Sequence, residues 1–199
     1  MSIGSINGQK LESVTSFAYL GSVITDEGSK PAILSRIEQA VLTRLKPVLD
    51  DRSISLSSNI RLMRFLVTSI FLYDCEPWTL TAELQRRIQA MEMSCFCKIL
   101  LISYKDHVTN EEVRVKIQQA IGPHEDLLTT VKRRKLQWYG HVFRSSDLAK
   151  TILQGTVKGG RRQGRQRKRW EDNIRELTGP EFAKYQRVLE NRENGGNWL

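Results

Sequence analysis

Apolar side chains recur every three or four residues through most of the chain between Pro31 and Ile121, and this spacing constrains the fold more than any other feature. An α-helix turns once in 3.6 residues, so such a run forms one apolar stripe along a helix. The longest run consists of Leu84, Ile88, Met91, Cys95, Ile99 and Ile102. The sequence therefore predicts a body built from amphipathic helices.

Prolines, glycines and hydroxyl residues predict where these helices begin and end. A side-chain oxygen before a helix can accept a hydrogen bond from a free amide of the first turn, and Thr109 with Glu112 has the form of a capping box. The predicted starts are Pro31, Ser57 or Ser58, Thr79 or Thr81, Thr109, Asp126, Trp170 and Pro180. The predicted stops are Pro47, Pro77 and Gly122, because proline interrupts a helix and glycine often follows one.

The first 29 residues have the composition of β structure. Asn7-Gly8 is a dipeptide that favours the tight turn of a hairpin, because both of its residues accept positive φ. The stretch from Phe17 to Thr25 is rich in β-branched and aromatic residues and is broken by Gly21. It predicts a bent hairpin with Gly21 at a bulge or at a close approach of the backbone.

The fold class predicted from these patterns is mainly α, with a small N-terminal β-hairpin element and a helical body. The predicted divisions are a hairpin element (1–29), a helical body (30–154), a basic Gly/Arg linker (155–169) and a short helical C-terminal segment (170–199). No apolar run reaches the roughly 18 residues of a membrane span, and no signal peptide is recognisable. Three cysteines fit a reducing compartment, so an intracellular protein of the nucleus or cytoplasm is expected. No membrane partner and no small-molecule substrate are expected.

The positive charge of the chain is concentrated in one segment. The formal charge is +9 at pH 7, yet residues 131–170 alone hold 13 Lys/Arg against one acid, Asp147. Cations neutralise phosphates and aromatic faces stack on unpaired bases, so a basic segment interleaved with aromatic residues predicts non-specific contact with RNA or DNA. The alternatives are a solvated tail and a nuclear-localisation or membrane-surface patch. The predicted contacts are Lys132, Arg133, Arg134, Lys135, Arg161, Arg162, Arg165, Arg167, Lys168 and Arg169, with Trp138 and Tyr139 as candidate stacking side chains.

The sequence predicts no catalytic residue and no metal site. Cys95 and Cys97 with the three histidines lack the paired spacing of a structural zinc site. No nucleotide-binding or nucleophile-elbow motif is present. Asp50-Asp51 follows a helix rather than a strand turn, so loop aspartates are favoured over a magnesium-binding pair of a polymerase.

Several short motifs in a fixed order resemble the C-terminal part of the reverse transcriptase of non-LTR (LINE-type) retrotransposons. The resemblance extends from about Gly8 to Leu177. The motifs are Phe17-Ala18-Tyr19-Leu20-Gly21, Ile60-Arg61-Leu62-Met63, Ser69-Ile70-Phe71-Leu72-Tyr73 with Glu76 and Trp78, Met93-Ser94-Cys95, Asp106-His107-Val108-Thr109-Asn110, Arg133 to Val142, and Gly164 to Trp170.

The resemblance implies a primer-grip hairpin at Tyr19, Leu20 and Gly21, followed by a helical thumb and a basic C-terminal segment. The family is an RNA-directed DNA polymerase whose carboxylates and endonuclease lie upstream, so the chain alone is expected to be inactive. Mg²⁺ is expected only for the complete polymerase, and no other cofactor is implied. The missing palm domain of a related chain is an implied partner, which predicts a bare apolar surface near Phe17 to Ile24. The alternative is a non-catalytic helical interaction protein with a basic nuclear-targeting segment.

Overall fold

The fold of the protein is mainly helical, as the sequence predicts, and it carries a small antiparallel hairpin near the N-terminus. The computed structural model describes residues 5–6, 9–10, 14–25, 28–42, 54–144 and 168–190. Strands β1 (Ser5–Ile6) and β2 (Gln9–Lys10) pair with each other. The predicted turn at Asn7-Gly8 and the pair Asp50-Asp51 lie outside the described residues.

A second hairpin follows, formed by β3 (Ser16–Tyr19) and β4 (Ser22–Thr25). The ladder is regular from Ser16 opposite Thr25 to Tyr19 opposite Ser22, so the bulge, one of the two predicted roles of Gly21, is wrong. Gly21 instead forms the two-residue turn with Leu20, and both have positive φ, 79° and 47°. These angles match the type I′ turn, whose twist follows that of the strands.

The helices of the body follow the predicted order. They are α1 (Lys30–Leu42), α2 (Leu56–Phe71), α3 (Ala82–Ile99), α4 (Asn110–Ile121) and α5 (Leu127–Arg144). Thr81 caps α3 and Thr109 caps α4 with the predicted capping box. The cap of α2 is Ser55 rather than Ser57 or Ser58, because the Ser58 amide donates to the Ser55 hydroxyl.

The core lies where α2, α3, α4 and α5 pack together, with α1 against α2 and α3. Its fully buried side chains include Ile33, Ile60, Phe71, Ile88, Ile117 and Val131. Removing such apolar surface from water is the main stabilising contribution to the body. Within the described parts of the chain, no helix combines the length and apolar character needed to cross a lipid bilayer.

Two C-terminal helices complete the described chain. Helix α6 (Trp170–Thr178) and helix α7 (Phe182–Glu190) are joined by a 3₁₀ turn at Gly179–Glu181 and pack on α5 and on each other. Tyr139 of α5 lies between them, with its ring close to those of Trp170, Phe182 and Tyr185. Helix α5 therefore has the body on one side and the C-terminal helices on the other.

Candidate nucleic-acid interface

Helix α5 displays only part of the predicted basic cluster at the surface. Lys132 and Arg133 are half-buried and Arg134 is exposed. The Arg133 guanidinium donates to both carboxylate oxygens of Glu125, at 3.1–3.3 Å. Arg134 donates to the Leu72 carbonyl at 3.3 Å and lies 3.8 Å from a Glu76 carboxylate oxygen. The two arginines are thus oriented by acceptors in the loop before α5 and in the segment that follows α2.

Lys135 is a correction to the predicted set, because its side chain is 0% exposed. Its amine donates to the Trp78 carbonyl and lies 4.4 Å from the centre of the Trp170 ring. A phosphate at the surface therefore cannot reach it. A sequence signal for this burial exists, since Lys135 continues the buried series Leu128, Val131, Tyr139 and Val142 along α5.

The two predicted stacking side chains also lie against other protein groups. Tyr139 is buried, and its hydroxyl accepts a hydrogen bond from Gln186 at 2.9 Å. It is therefore a second correction, because a buried ring offers no face to a base. Trp138 is half-buried and meets the Trp170 ring edge to face at 5.2 Å. One part of Trp138 remains accessible beside the arginines.

The described end of the second basic cluster serves to attach α6. Lys168 donates to the Leu80 carbonyl at 3.0 Å and to Glu176 at 2.5 Å. Arg169 is exposed, and its backbone amide donates to Asp172 in the first turn of α6. Of the predicted contacts, Arg161, Arg162, Arg165 and Arg167 lie outside the described residues.

The hairpin presents the bare apolar surface that the sequence predicts. Phe17 is 53%, Tyr19 57%, Leu20 72% and Ile24 58% exposed. The rings of Phe17 and Tyr19 are stacked side by side, with centres 6.3 Å apart. The predicted exposure of apolar side chains near Phe17 to Ile24 is therefore confirmed.

The tip of the hairpin is attached to the body through its backbone. The Arg36 guanidinium donates to the Gly21 carbonyl at 2.8 Å, and the Tyr73 hydroxyl donates to the Leu20 carbonyl at 2.7 Å. Arg36 also lies over the Tyr73 ring, 4.6 Å from its centre. Neither residue is among the predicted site residues, because nothing in their local sequence indicates which distant carbonyl they bind.

Two open clefts meet at the loop between α2 and α3. The hairpin cleft has a volume of about 630 Å³ and is lined by Tyr19, Leu20, Val23, Ile24, Tyr73 and Trp78. The arginine cleft has about 700 Å³ and is lined by Thr68, Leu72, Arg133, Arg134, Gln137 and Trp138. Asp74, Glu76 and Pro77 border both clefts. The predicted hairpin site and the predicted basic site are more than 100 residues apart in the chain, and the structure places them in adjoining clefts.

Carboxylates balance much of the positive charge in the arginine cleft. Asp74 and Glu76 line it, and Glu125 pairs with Arg133 at its rim. The hydrogen bond from Arg133 is the main cause of the lowered pKa of Glu125, which therefore stays ionised at neutral pH. A phosphate that enters the cleft must compete with these carboxylates for the guanidinium groups.

The described residues contain no group of three His, Cys, Asp or Glu side chains that could hold a metal ion. Cys75 and Cys95 are buried free thiols, and Cys97 is a half-buried one. Burial raises the pKa of Cys75 to about 12 and also raises that of Cys95. Neither buried thiol is thus poised as a nucleophile.

Comparison with known proteins gives one informative similarity. An uncharacterized transposon-derived protein of Caenorhabditis elegans is 27% identical over 179 residues, covering 85% of this chain and 62% of that protein. The chain thus spans less than two thirds of the relative's length. No protein-family model matches the chain, and no solved structure matches it. The similarity indicates an origin in a transposable element.

Proposed function

We propose that the chain is a part of a non-LTR retrotransposon reverse transcriptase that binds RNA or template–primer duplex without sequence preference. The observation that carries the proposal is the concentration of charge: 13 Lys/Arg and one acid within residues 131–170. Phosphate contacts supply most of non-specific nucleic-acid affinity and need no arrangement that reads bases. The transposon-derived relative supports the same origin.

The two adjoining clefts support the proposal geometrically. The primer-grip-like hairpin lines the hairpin cleft, and the arginines of α5 line the arginine cleft. The two clefts meet at Asp74, Glu76 and Pro77. When a nucleic-acid backbone binds along this surface, one phosphate would replace Glu76 as the partner of Arg134. Another phosphate would replace Glu125 as the partner of Arg133. The carboxylates hold the guanidinium groups in place before that exchange, which lowers the conformational cost of binding.

The test is the salt dependence of binding to RNA and to a template–primer duplex of mixed sequence. If about six phosphates are contacted, affinity should fall about a thousandfold between 50 and 200 mM salt. The double variant Arg133→Gln/Arg134→Gln should weaken binding to all sequences alike and reduce the logarithmic salt slope by about 2. A flat salt response, or loss for one sequence only, would refute the proposal.

A matched control is available on α3. Arg86 and Arg87 are likewise adjacent arginines, both are exposed, and they lie outside the lining of both clefts. The variant Arg86→Gln/Arg87→Gln removes the same charge from the chain. It should leave affinity within about twofold of the original, because it changes only the long-range field, which salt screens. An equal loss of nucleic-acid affinity in both double variants would mean that binding depends on the net charge of the chain and not on the arginine cleft.

The polymerase reaction itself is proposed to belong to the complete enzyme, with Mg²⁺ bound by carboxylates upstream. The isolated chain should give no primer extension with Mg²⁺, and measurable extension would contradict this assignment.

The bare apolar hairpin face is proposed to contact a palm domain of a related chain. Co-purification with such a domain should be lost in Phe17→Ser/Tyr19→Ser, whereas unchanged co-purification would refute that contact.

One observation favours a second candidate, a non-catalytic helical interaction protein with a basic targeting segment. Arg133 and Arg134 already have carboxylate partners, so the described part of the basic segment is less available than its composition indicates. In that case, replacing Arg161, Arg162, Arg165 and Arg167 by glutamine should change the cellular location and leave protein binding intact. Loss of nucleic-acid binding in this variant would favour the first proposal instead.

A further inference from the structure

Lys135 is a lysine enclosed between two parts of the molecule. The α2–α3 loop lies on one side, where the Trp78 carbonyl accepts a hydrogen bond from the amine. Helix α6 lies on the other side, where the Trp170 ring covers the amine. The side chain has no solvent exposure. Its environment therefore exists only while α6 is docked on α5 and on the loop.

The docking of α6 uses side chains that bind the backbone of this same loop. The Trp170 indole donates to the Glu76 carbonyl at 2.9 Å. The Asn173 amide binds Leu80 twice, accepting from its N–H at 2.6 Å and donating to its carbonyl at 2.8 Å. Because the Leu80 N–H is bound by a side chain of α6, its protection from solvent exchange reports directly on docking.

The described ion pairs include no carboxylate partner for Lys135. Glu76 pairs with Arg134, and Glu176 pairs with Lys168. The pKa of Lys135 is lowered from 10.5 to about 6, mainly by burial; Cys75 acts in the opposite direction, and the nearby Lys168 adds to the lowering. The Trp78 carbonyl and the Trp170 ring favour the charged form, but burial without a counter-ion outweighs them.

We propose that docking of the C-terminal helices is linked to loss of a proton from Lys135. When α6 is released, the amine meets water and is protonated at neutral pH. When α6 docks, the amine must give up its proton or carry an unpaired charge into the interior. This inference concerns how the chain closes on itself, and it does not depend on the proposed nucleic-acid function.

The sign of the pH dependence follows from proton counting. Between the docked pKa of about 6 and the ordinary value of 10.5, the released form binds one more proton than the docked form. Docking should therefore strengthen as pH rises through this range, by at most about tenfold per pH unit. Below about pH 6 both forms are protonated, and the dependence on Lys135 should vanish.

The experiment measures hydrogen exchange of the Leu80 amide in the full chain between pH 6.5 and 8.5. After correction for the intrinsic exchange rate, the protection factor should rise about tenfold per unit or somewhat less. In Lys135→Met, which keeps the length without the amine, it should be independent of pH. Lys132→Met removes a half-buried lysine one helical turn away, and its protection factor should keep the pH dependence of the original chain.

Two results would overturn the proposal. One is a pH-independent protection factor in the original chain, and the other is a pH slope that persists in Lys135→Met, which would assign the proton to another group. Should Lys135→Met fail to fold, NMR titration of the Lys135 side chain in the original chain decides instead. A pKa several units below 10.5 supports the proposal, and one within a unit of 10.5 overturns it.

Discussion

Replacing Asn173 by alanine should weaken the attachment of the C-terminal helices through one identifiable atom. The variant loses both hydrogen bonds to Leu80, but the Leu80 carbonyl keeps its bond from Lys168 at 3.0 Å. The Leu80 N–H, whose acceptor is Asn173, is left buried without a partner. An orphaned buried donor costs about 1–3 kcal/mol, so the expected loss is about 2 kcal/mol, or about thirtyfold in the docking equilibrium.

Urea denaturation followed by circular dichroism measures the global part of this loss, and exchange of the Leu80 amide measures the local part. Lys168→Met is the matched control, because the Leu80 carbonyl then keeps its bond from Asn173 and no buried donor is orphaned. That control should lose less than about 1 kcal/mol, as expected for a partly exposed ion pair. If Asn173→Ala lies within about 0.5 kcal/mol of the original chain in both assays, the orphaned-donor reasoning is refuted.

Three further outcomes are expected. Thr109→Ala should reduce the free energy of unfolding by about 1 kcal/mol in urea denaturation through loss of the α4 cap, and Thr109→Ser should restore most of it. Because the pKa of Glu125 is lowered by Arg133, the stability that this pair contributes should be complete at neutral pH and be lost as pH falls below the ordinary value of 4.5; acid titration of Glu125→Gln should lack that component. At pH 8, the half-buried Cys97 should be alkylated first, whereas the buried Cys75 should stay unlabelled in mass spectra of the folded chain, because raising its pKa from 9.0 to about 12 lowers its own thiolate fraction about a thousandfold.

The helical body could be predicted from sequence because its determinants are local. Apolar spacing and the hydroxyl residues at Thr81 and Thr109 lie within a few residues of the helices that they specify. The start of α2 was predicted at Ser57 or Ser58 instead of Ser55, because serine side chains at all three positions can cap a helix. Only Ser55 has the extended backbone that lets its hydroxyl accept from the first turn.

The candidate site was predicted less well, because its properties depend on distant partners. A run of four basic residues indicates a charged surface, yet Lys135 is buried by Trp170, which follows 35 residues later. The balance of charge in the arginine cleft likewise depends on Glu76 and Glu125, which the linear charge count assigns to other regions. Composition locates the basic segment, and tertiary packing decides which of its cations reach solvent.

The backbone attachment of the hairpin tip sets the direction of the hairpin independently of the side chains that the hairpin exposes. The atoms that Arg36 and Tyr73 bind are main-chain oxygens, which every amino acid provides. The outward side chains of β3 can therefore be substituted without altering the direction of the strand. A change at Arg36 or Tyr73 would instead redirect all of those side chains together, although neither residue lies on the hairpin.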